Sequence, residues 1–583
     1  MNILGLKIRG HDTGAAVIGN NNRIVATAEE RLNRIKHSFD IFPILSIQYC
    51  LKELSITERD VDMVVIDQVS HRLEVKMEEI FHRETKGAFV KAKVYVINHH
   101  DAHAASAFFA SPFTEAAVLV YDGSGEKFIG KDGVPRVETE TLYRGSGNKL
   151  TELKKTTHER RGKEFVSTWG IGKLYSFLSS FYLGFGAYNE GKMMGLAPYG
   201  DSTLLEEFPE GRWFIEKDGE VLVNSRITFP RGKSREKGED RRSILTRIKG
   251  RFRRMFHGKH TLVASPFTPI RLPQPKRKES DVLPDKYYAG VARAAQTLLE
   301  SVAIRWGKIL RSLTGLDAIC IAGGVGLNID ANLNFLTKVG FKDIFVQPAA
   351  SDTGIALGAA LYGAHVIADV PRFYEMKSAS LGRSYSNEEI ESVLLEEKGI
   401  SFQKFDTIAK EAAKLIADGK IIGWFQGGAE YGPRALGNRS ILADARRPDM
   451  KDILNARVKH REEWRPFAAS VLAEKNKEYF DITHDSPFML LAAPVRENRR
   501  KEVPSIVHVD GSCRIQSVTK EQNSMYYELL SEFNTLTKTP LVLNTSFNLG
   551  GDPIVETPAD ALKTFLATDF DALVIGNYCV TKS

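Results

Sequence analysis

The stretch "AAVLVYDGSGE", residues 116–126, is an apolar run that stops abruptly at an acid flanked by glycines. A short apolar run closed by such a turn reads as a buried strand followed by a tight loop. The device returns in "DAICIAGGVGLN" (317–328), where a strand and a glycine turn lead into a helix. It also opens the chain in "ILGLKIRGHDTGAAVIGNNNRIVATAEER" (3–31). There two apolar runs flank a polar turn, "GNNN" marks a hairpin, and a third run follows. Strand–turn units repeated in two halves predict a duplicated α/β domain with a nucleotide or substrate cleft between the halves.

"ALGAALYGAHVI" (356–367) reads as the closing helix of this domain, and "ADVPRFYEMKSASLGRSYS" (368–386) as a linker. The pattern then restarts with helices at "NEEIESVLLEEKGI" and "IAKEAAKLIADGK" and a strand at "IIGWFQG". The boundary is therefore expected near 370–385, dividing the chain into residues 1–370 and 385–583. A chain of 583 residues is too long for one core, so more than one domain is expected on size alone.

Composition, 43% apolar and 26% charged, is that of a globular protein. Apolar runs stop well short of the roughly 20 residues that a membrane span needs. The first residues form a strand and lack the features of a signal peptide. Cys50, Cys320, Cys513 and Cys579 are scattered, which suits a reducing cytoplasm better than a disulfide framework or a zinc ribbon. The net charge of +7 is local in origin. Residues 231–279 hold 16 Lys and Arg against 4 Asp and Glu, which leaves a net −5 for the rest. Within them Ile244, Leu245, Ile248, Phe252 and Phe256 fall at helical spacing. This stretch is either a solvated insertion or a patch for an anionic surface, nucleic acid or phosphorylated partner.

"INHHDAHAASAF" (97–108) places three histidines among small, helix-favouring residues. On a helix His99 and His103 share a face and His100 points elsewhere. The glutamate of a metalloprotease helix is absent, since His100 occupies its place. Asp122, at a strand end, and Asp352, ahead of a helix in "AASDTGIALGAA", are candidate third and fourth ligands. Two imidazoles with carboxylates suit iron(II) or a similar divalent ion. Ordinary buried histidines remain the alternative at this stage.

The turns "RGHDTGAA" (9–16), "DGSGE" (122–126) and "AGGVGLN" (322–328) each follow a strand and are expected to offer free amides to phosphate oxygens. Gly123, Gly125, Gly323, Gly324 and Asn328 are the candidate nucleotide contacts. None of the turns fits the GxxxxGK[ST] phosphate loop. In the second half, "EYGPRALGNRSILADAR" (430–446), "NARVKHREEWRPFAAS" (455–470), "HVDGSCRIQSV" (508–518) and "NTSFNLGGDPIVETP" (544–558) set arginines among apolar and small residues. Arginine is costly to bury without an anionic partner. Arg434, Arg439, Lys459, Arg465 and Arg514 therefore read as a phosphate or carboxylate clamp, with Asn544, Ser546 and Asn548 as neutral partners. Structural ion pairing is the competing reading.

These segments, with "AEERLNRIKH" and "GKMMGLAPYG", run in order along nearly the whole chain outside the basic stretch. Together they resemble the O-carbamoyltransferase family that includes nodulation and antibiotic-tailoring enzymes. The resemblance implies a duplicated actin/Hsp70-like (Kae1-like) domain followed by a YrdC-like α/β domain. It implies that the second half makes carbamoyl-adenylate from carbamoyl phosphate and ATP. The first half then transfers the carbamoyl group to a hydroxyl of a small-molecule acceptor, a glycoside or other natural product. It further implies iron(II) on His99, His103, Asp122 and Asp352, with Mg2+ as a companion of the nucleotide. Carbamoyl phosphate and ATP fall to Arg434, Lys459, Arg465, Arg514, Asn544 and Ser546.

For the transfer step His11 is the first candidate base. Asp12 is placed to orient His11 or the acceptor, and Lys36 to stabilise charge on the carbonyl oxygen. The sequence departs from the family pattern around Arg465, at Glu463, Trp464 and Ala469, and in "TKTP". These departures put local shape in doubt more than the charged anchors. A threonylcarbamoyl transferase acting on tRNA, a hydrogenase-maturation carbamoyltransferase and a non-catalytic nucleotide-binding scaffold are the alternatives. Nucleic acid is the less expected partner, and a homodimer is compatible with the sequence.

Overall fold

The computed structural model describes residues 1–68, 76–130, 133–161, 164–165, 168–201, 210–228, 268, 270–272 and 285–583. The basic stretch at 231–279, with its helical apolar spacing, lies outside the described residues apart from 268 and 270–272.

The first three apolar runs form Ile3–Lys7, Gly14–Ile18 and Ile24–Ala28, an antiparallel meander closed by the 19–22 turn. Ile3–Lys7 also pairs in parallel with Met63–Asp67, which pairs in parallel with Lys93–Ile97. A second sheet repeats the plan. Glu115–Tyr121 lies antiparallel to Pro135–Ser146, itself antiparallel to Lys149–Arg161. On its other edge Glu115–Tyr121 runs parallel to Ala318–Ala322, and that strand runs parallel to Asp343–Val346. In both sheets the middle strands are apolar and buried, as strands covered on both faces must be.

Two helices, His99–Phe108 and Ile355–Tyr362, pack together between these sheets. Small residues make this close approach possible. A Cβ on Gly358 would come within 1.9 Å of the Ala102 carbonyl oxygen, and one on Gly5 within 2.1 Å of that of Ala356. Alanines 102, 105, 356, 359 and 360 are fully buried in the same contact. The glycine–alanine composition thus brings the helix carrying the histidines against the one that follows Asp352.

Residues 369–386 carry neither helix nor strand beyond one isolated bridge at Ser380. They are laced to the first half. Arg372 donates to the carbonyls of Phe108 and Ser111 at 2.9 and 2.7 Å, and the Met376 amide donates to Ala110. Residues 400–582 then form a nine-stranded mixed sheet with Ile422–Phe425, Arg439–Ala443, Leu541–Ser546 and Ala468–Leu472 in its interior. Trp464, Ala468, Phe488, Met489 and Leu490 from this half belong to the same apolar cluster as the first half. The two halves meet through this apolar seam as well as through polar contacts. No helix among the described residues is long and apolar enough to cross a membrane.

Candidate active site

Asn98 caps the helix His99–Phe108 by accepting from the amides of His100 and Asp101. His99 and His103 then project from one face into the space between the sheets. Asp122 enters from the end of Glu115–Tyr121, and Asp352 from the turn before Ile355–Tyr362. The Nε2 atoms of His99 and His103 lie 3.5 and 3.6 Å from Oδ1 of Asp352, and His99 Nε2 lies 3.9 Å from Asp122 Oδ2. One ligand atom from each of the four lies within 4.8 Å of the others. Both Nε2 atoms are buried without a hydrogen-bond partner. Two orphaned imidazole nitrogens facing two carboxylates fit a divalent ion, whose ligation would satisfy them. His100 is engaged elsewhere, its Nδ1 2.7 Å from the Thr141 hydroxyl.

Two further residues brace this cluster. Asp67 ends the strand Met63–Asp67, and its Oδ2 lies 3.1 Å from His99 Nδ1, which turns Nε2 toward the ligand space. Lys7 ends the neighbouring strand, fully buried, with Nζ 3.2 Å from both Asp67 Oδ2 and Asp352 Oδ2. Sequence reading passes over both. The available signal was a charge closing each of two otherwise apolar strands, "ILGLK" and "MVVID".

His11 faces the same centre, with Nε2 3.6 Å from Asp352 Oδ2 and Nδ1 3.1 Å from Asp12 Oδ2. Burial by itself depresses the His11 imidazolium, but the Asp352 carboxylate and then Asp12 outweigh it and push the group up to about 9. Asp12 also takes His37 Nδ1 on its other oxygen at 2.7 Å. Tyr188 stands 4.7 Å from the His11 ring and 4.7 Å from the His37 ring, centroid to centroid, and is 42% exposed. Lys36 lies toward the other half, where its Nζ donates to the Asp552 carbonyl at 3.4 Å and its charge bears on Lys459. His37, and not Lys36, is the residue of this turn that reaches Asp12.

Gly123, Gly125, Gly324 and Asn328 line the cleft, but three of the four candidate glycine amides are already engaged within the fold. The Gly323 amide donates to the Ala350 carbonyl at 2.8 Å, Gly324 to Asp122 Oδ1 at 3.0 Å, and Gly125 to the Glu138 carbonyl at 2.9 Å. Their tight turns serve close packing and hold Asp122. Gly123 lines the cleft with open space at its Cβ position. Asn328 caps the next helix through the Ala331 amide and exchanges amide hydrogen bonds with Gln296.

A single cleft of 1780 Å³ reaches from His11, Asp122 and Asp352 to the second half. There Arg434, Lys459, Arg461, Arg465 and Arg514 line it together with Ser546 and Asn548. The Nε atoms of Arg434 and Arg514 are buried without a partner. Lys459 Nζ reaches only neutral acceptors, the carbonyl and hydroxyl of Ser546 and the carbonyl and Oδ1 of Asn548. Burial, then repulsion by Arg514 and Arg465, holds Arg434 well below the usual guanidinium range. Lys459 is depressed by burial and by Arg461, Arg465 and Lys36. Such a cluster is poised to take up an anion. Arg461 was missed in sequence although it lies between Lys459 and Arg465. It is anchored to Asn455 Oδ1 at 2.8 Å and stacked on Phe467.

Two expected clamp members do not line this cleft. Arg439 is fully buried, donates to the carbonyls of Gln426, Gly427, Asn438 and Arg383, and stacks 3.6 Å above the Phe425 ring. Main-chain carbonyls take its two terminal nitrogens in place of an anion, while its Nε is buried without a partner. Asn544 points into the sheet, donating to the Ala435 carbonyl and to the Ser470 hydroxyl.

The sequence carries matching relatives along its length. A family model described as carbamoyltransferase N-terminus matches residues 2–88 and 81–361, and one described as carbamoyltransferase C-terminus matches 413–582. An uncharacterized protein of Synechocystis sp. is 34% identical, covering 100% of this chain and 97% of that protein. Nodulation protein NolNO of Sinorhizobium fredii is 34% identical, covering 98% of this chain and 79% of its own. Nodulation protein NolO of Bradyrhizobium diazoefficiens is 35% identical, covering 83% and 79%. The chain belongs to the carbamoyltransferase family and is a carbamoyltransferase.

Proposed function

We propose that the chain is an ATP-dependent O-carbamoyltransferase that forms carbamoyl-adenylate from carbamoyl phosphate and ATP and passes the carbamoyl group to a hydroxyl of a small, hydroxylated acceptor. The observation that carries this reading is the single cleft joining a cluster of five cations, with Glu462 the one carboxylate paired to any of them among the described residues, to the His–Asp centre. On this reading the YrdC-like half, residues 385–583, contributes the activation end, and the Kae1-like half, residues 1–370, the transfer end.

At the activation end Arg434, Arg465 and Arg514 bind the phosphate oxygens, and Lys459 with Arg461 offsets the negative charge brought by two anionic substrates. The apolar seam around Trp464 closes one side of the cleft and would limit hydrolysis of a reactive adenylate. At the transfer end the acceptor oxygen attacks the carbamoyl carbon, the adenylate phosphate leaves, and the hydroxyl proton passes to His11 Nε2. Asp12 holds the ring through Nδ1. Asp352 is the charge that raises His11 most, so His11 works as a base while Asp352 is engaged by other partners. An iron(II) or similar ion held by His99, His103, Asp122 and Asp352 would act as a Lewis acid on the leaving phosphate. The exposed ring of Tyr188 beside His11 gives a face against which a sugar or similar ring can stack.

Pyrophosphate release from ATP tests the activation step. Release that requires carbamoyl phosphate and is abolished in Arg465→Ala supports the reading. Release indifferent to carbamoyl phosphate, or none from a folded, metal-loaded protein even with hydroxylated acceptors present, would reject it.

A further inference from the structure

We infer that Lys7 fixes Asp352 as a one-oxygen metal ligand and thereby keeps a coordination position open for substrate. The two oxygens of Asp352 face different neighbours. Oδ1 looks toward His99 and His103, at 3.5 and 3.6 Å from their Nε2 atoms. Oδ2 looks away, 3.2 Å from Lys7 Nζ and 3.6 Å from His11 Nε2. A carboxylate that chelates an ion must turn both oxygens toward it, and Lys7 holds the second one back.

The lysine is built into the fold. Ile3–Lys7 and Met63–Asp67 are parallel neighbours with Leu6 beside Ile66, so their terminal residues Lys7 and Asp67 emerge side by side. Gly5, pressed on the Ile355–Tyr362 helix, fixes the depth of this strand against the element that Asp352 introduces. Lys7 has no exposed surface and no neutral acceptor among its hydrogen bonds, only Asp67 and Asp352. Its charge also has a counting role. Asp67, Asp122 and Asp352 carry three negative charges and Lys7 one positive, and the neighbouring His11 and Asp12 offset each other, so a divalent ion brings this group to neutrality. A structural ion pair alone would not require that Lys7 meet the same carboxylate oxygen as His11 and leave the other oxygen to the two histidines.

This inference rests on the metal reading of the site and is independent of the acceptor. It is tested with Co2+ as the probe, by calorimetry, by visible absorption and by a crystal structure of the Co2+-loaded wild type. Wild type is expected to bind one Co2+, to show Asp352 Oδ1 alone at bonding distance, and to change its visible spectrum when inorganic phosphate is added. In Lys7→Met the Co2+ bands should weaken as coordination rises, and the phosphate response should fall at least about fivefold in affinity. Lys7→Gln, which keeps one donor for Oδ2, should recover part of that response. Should the wild-type crystal show Asp352 chelating through both oxygens, the inference is wrong although the metal reading stands. Should wild type bind no Co2+, the metal reading falls and the inference with it. The wild-type crystal can overturn the inference even if neither variant folds.

Discussion

The hydroxyl of Tyr431 donates to the main-chain carbonyl of Thr353, the residue after Asp352. Tyr431 sits three residues before Arg434, so one short loop touches both ends of the cleft. The loop is held from the first half as well. Arg31 donates to the carbonyls of Glu430 and Gly432, at 3.4 and 2.7 Å, and Gly432 packs where a Cβ would lie 2.7 Å from the Pro348 carbonyl oxygen. Glu430 in turn accepts the amides of Leu436, Asn438 and Arg439. The spacing of the cationic cluster from the His–Asp centre is thus set by direct bonds.

Removing only the Tyr431 hydroxyl should therefore loosen the relation between the two ends. Tyr431→Phe is expected to cost about 1 kcal/mol of stability. Pyrophosphate release should stay near wild type, while carbamoyl groups transferred per pyrophosphate fall by about tenfold, because positioning errors act steeply on transfer. Measuring both products in one reaction checks this. Equal loss of both would mean that the hydroxyl serves general stability only.

The histidine helix makes a sharp distinction between neighbours. Both His100 and His103 have an unpartnered Nε2, but that of His103 faces Asp352 at 3.6 Å, whereas His100 is held through Nδ1 on Thr141 with its Nε2 against Gly125. His103→Ala should lower divalent-ion affinity by at least about a hundredfold, and His100→Gln should leave it within about threefold. Calorimetric titration with Co2+ or Zn2+ reads both. Comparable losses in the two variants would remove the assignment of the ligand face.

Much of this could be read before any coordinates, and the limits have physical causes. The repeated strand–glycine turns gave both doubled sheets, because burial on two faces leaves near-continuous apolar runs. His99 and His103 were legible because four-residue spacing on a helix is local. Lys7 and Asp67 were not, since only the parallel pairing of strands some sixty residues apart puts them side by side. The glycine turns were found, but which way their amides point depends on partners such as Ala350 and Asp122. Arg439 shows the same limit for charge. A guanidinium among small residues must be satisfied, yet sequence does not tell an anion from a ring of carbonyls.

That contrast separates two kinds of arginine experimentally. Arg439→Met should destabilise the protein by about 3 kcal/mol, because four carbonyls lose their donors at once. Arg465→Ala should leave melting nearly unchanged and remove anion binding, since its charge lines the cleft beside Glu462 at 3.9 Å. Inorganic phosphate or pyrophosphate should raise the wild-type melting temperature by a few degrees by binding the native state. Arg514→Gln should blunt that rise. Melting curves with and without the anion, at fixed ionic strength, decide it. A rise unchanged in both Arg465→Ala and Arg514→Gln would place the anion elsewhere.

Glu140 is not one of the four ligands, although the Asp122 charge adds to its shift, and it gives a pH-dependent test. Its side chain is 2% exposed and accepts the Ile171 amide at 3.1 Å. Burial raises the carboxyl, against the opposing hydrogen bonds from Thr139 and Ile171, and the group is pushed up to about 7. Between the usual carboxyl range and that value the folded chain holds a proton that the unfolded chain has released. Stability contributed by this proton is present at low pH and is lost as pH rises toward 7, by at most about 1.4 kcal/mol per unit, and the loss levels off above it. Glu140→Gln keeps an oxygen for Ile171 and does not ionise. Its melting temperature relative to wild type should therefore climb from pH 5 to pH 7 and then hold steady. A difference that is flat across that range would show that Glu140 does not titrate there.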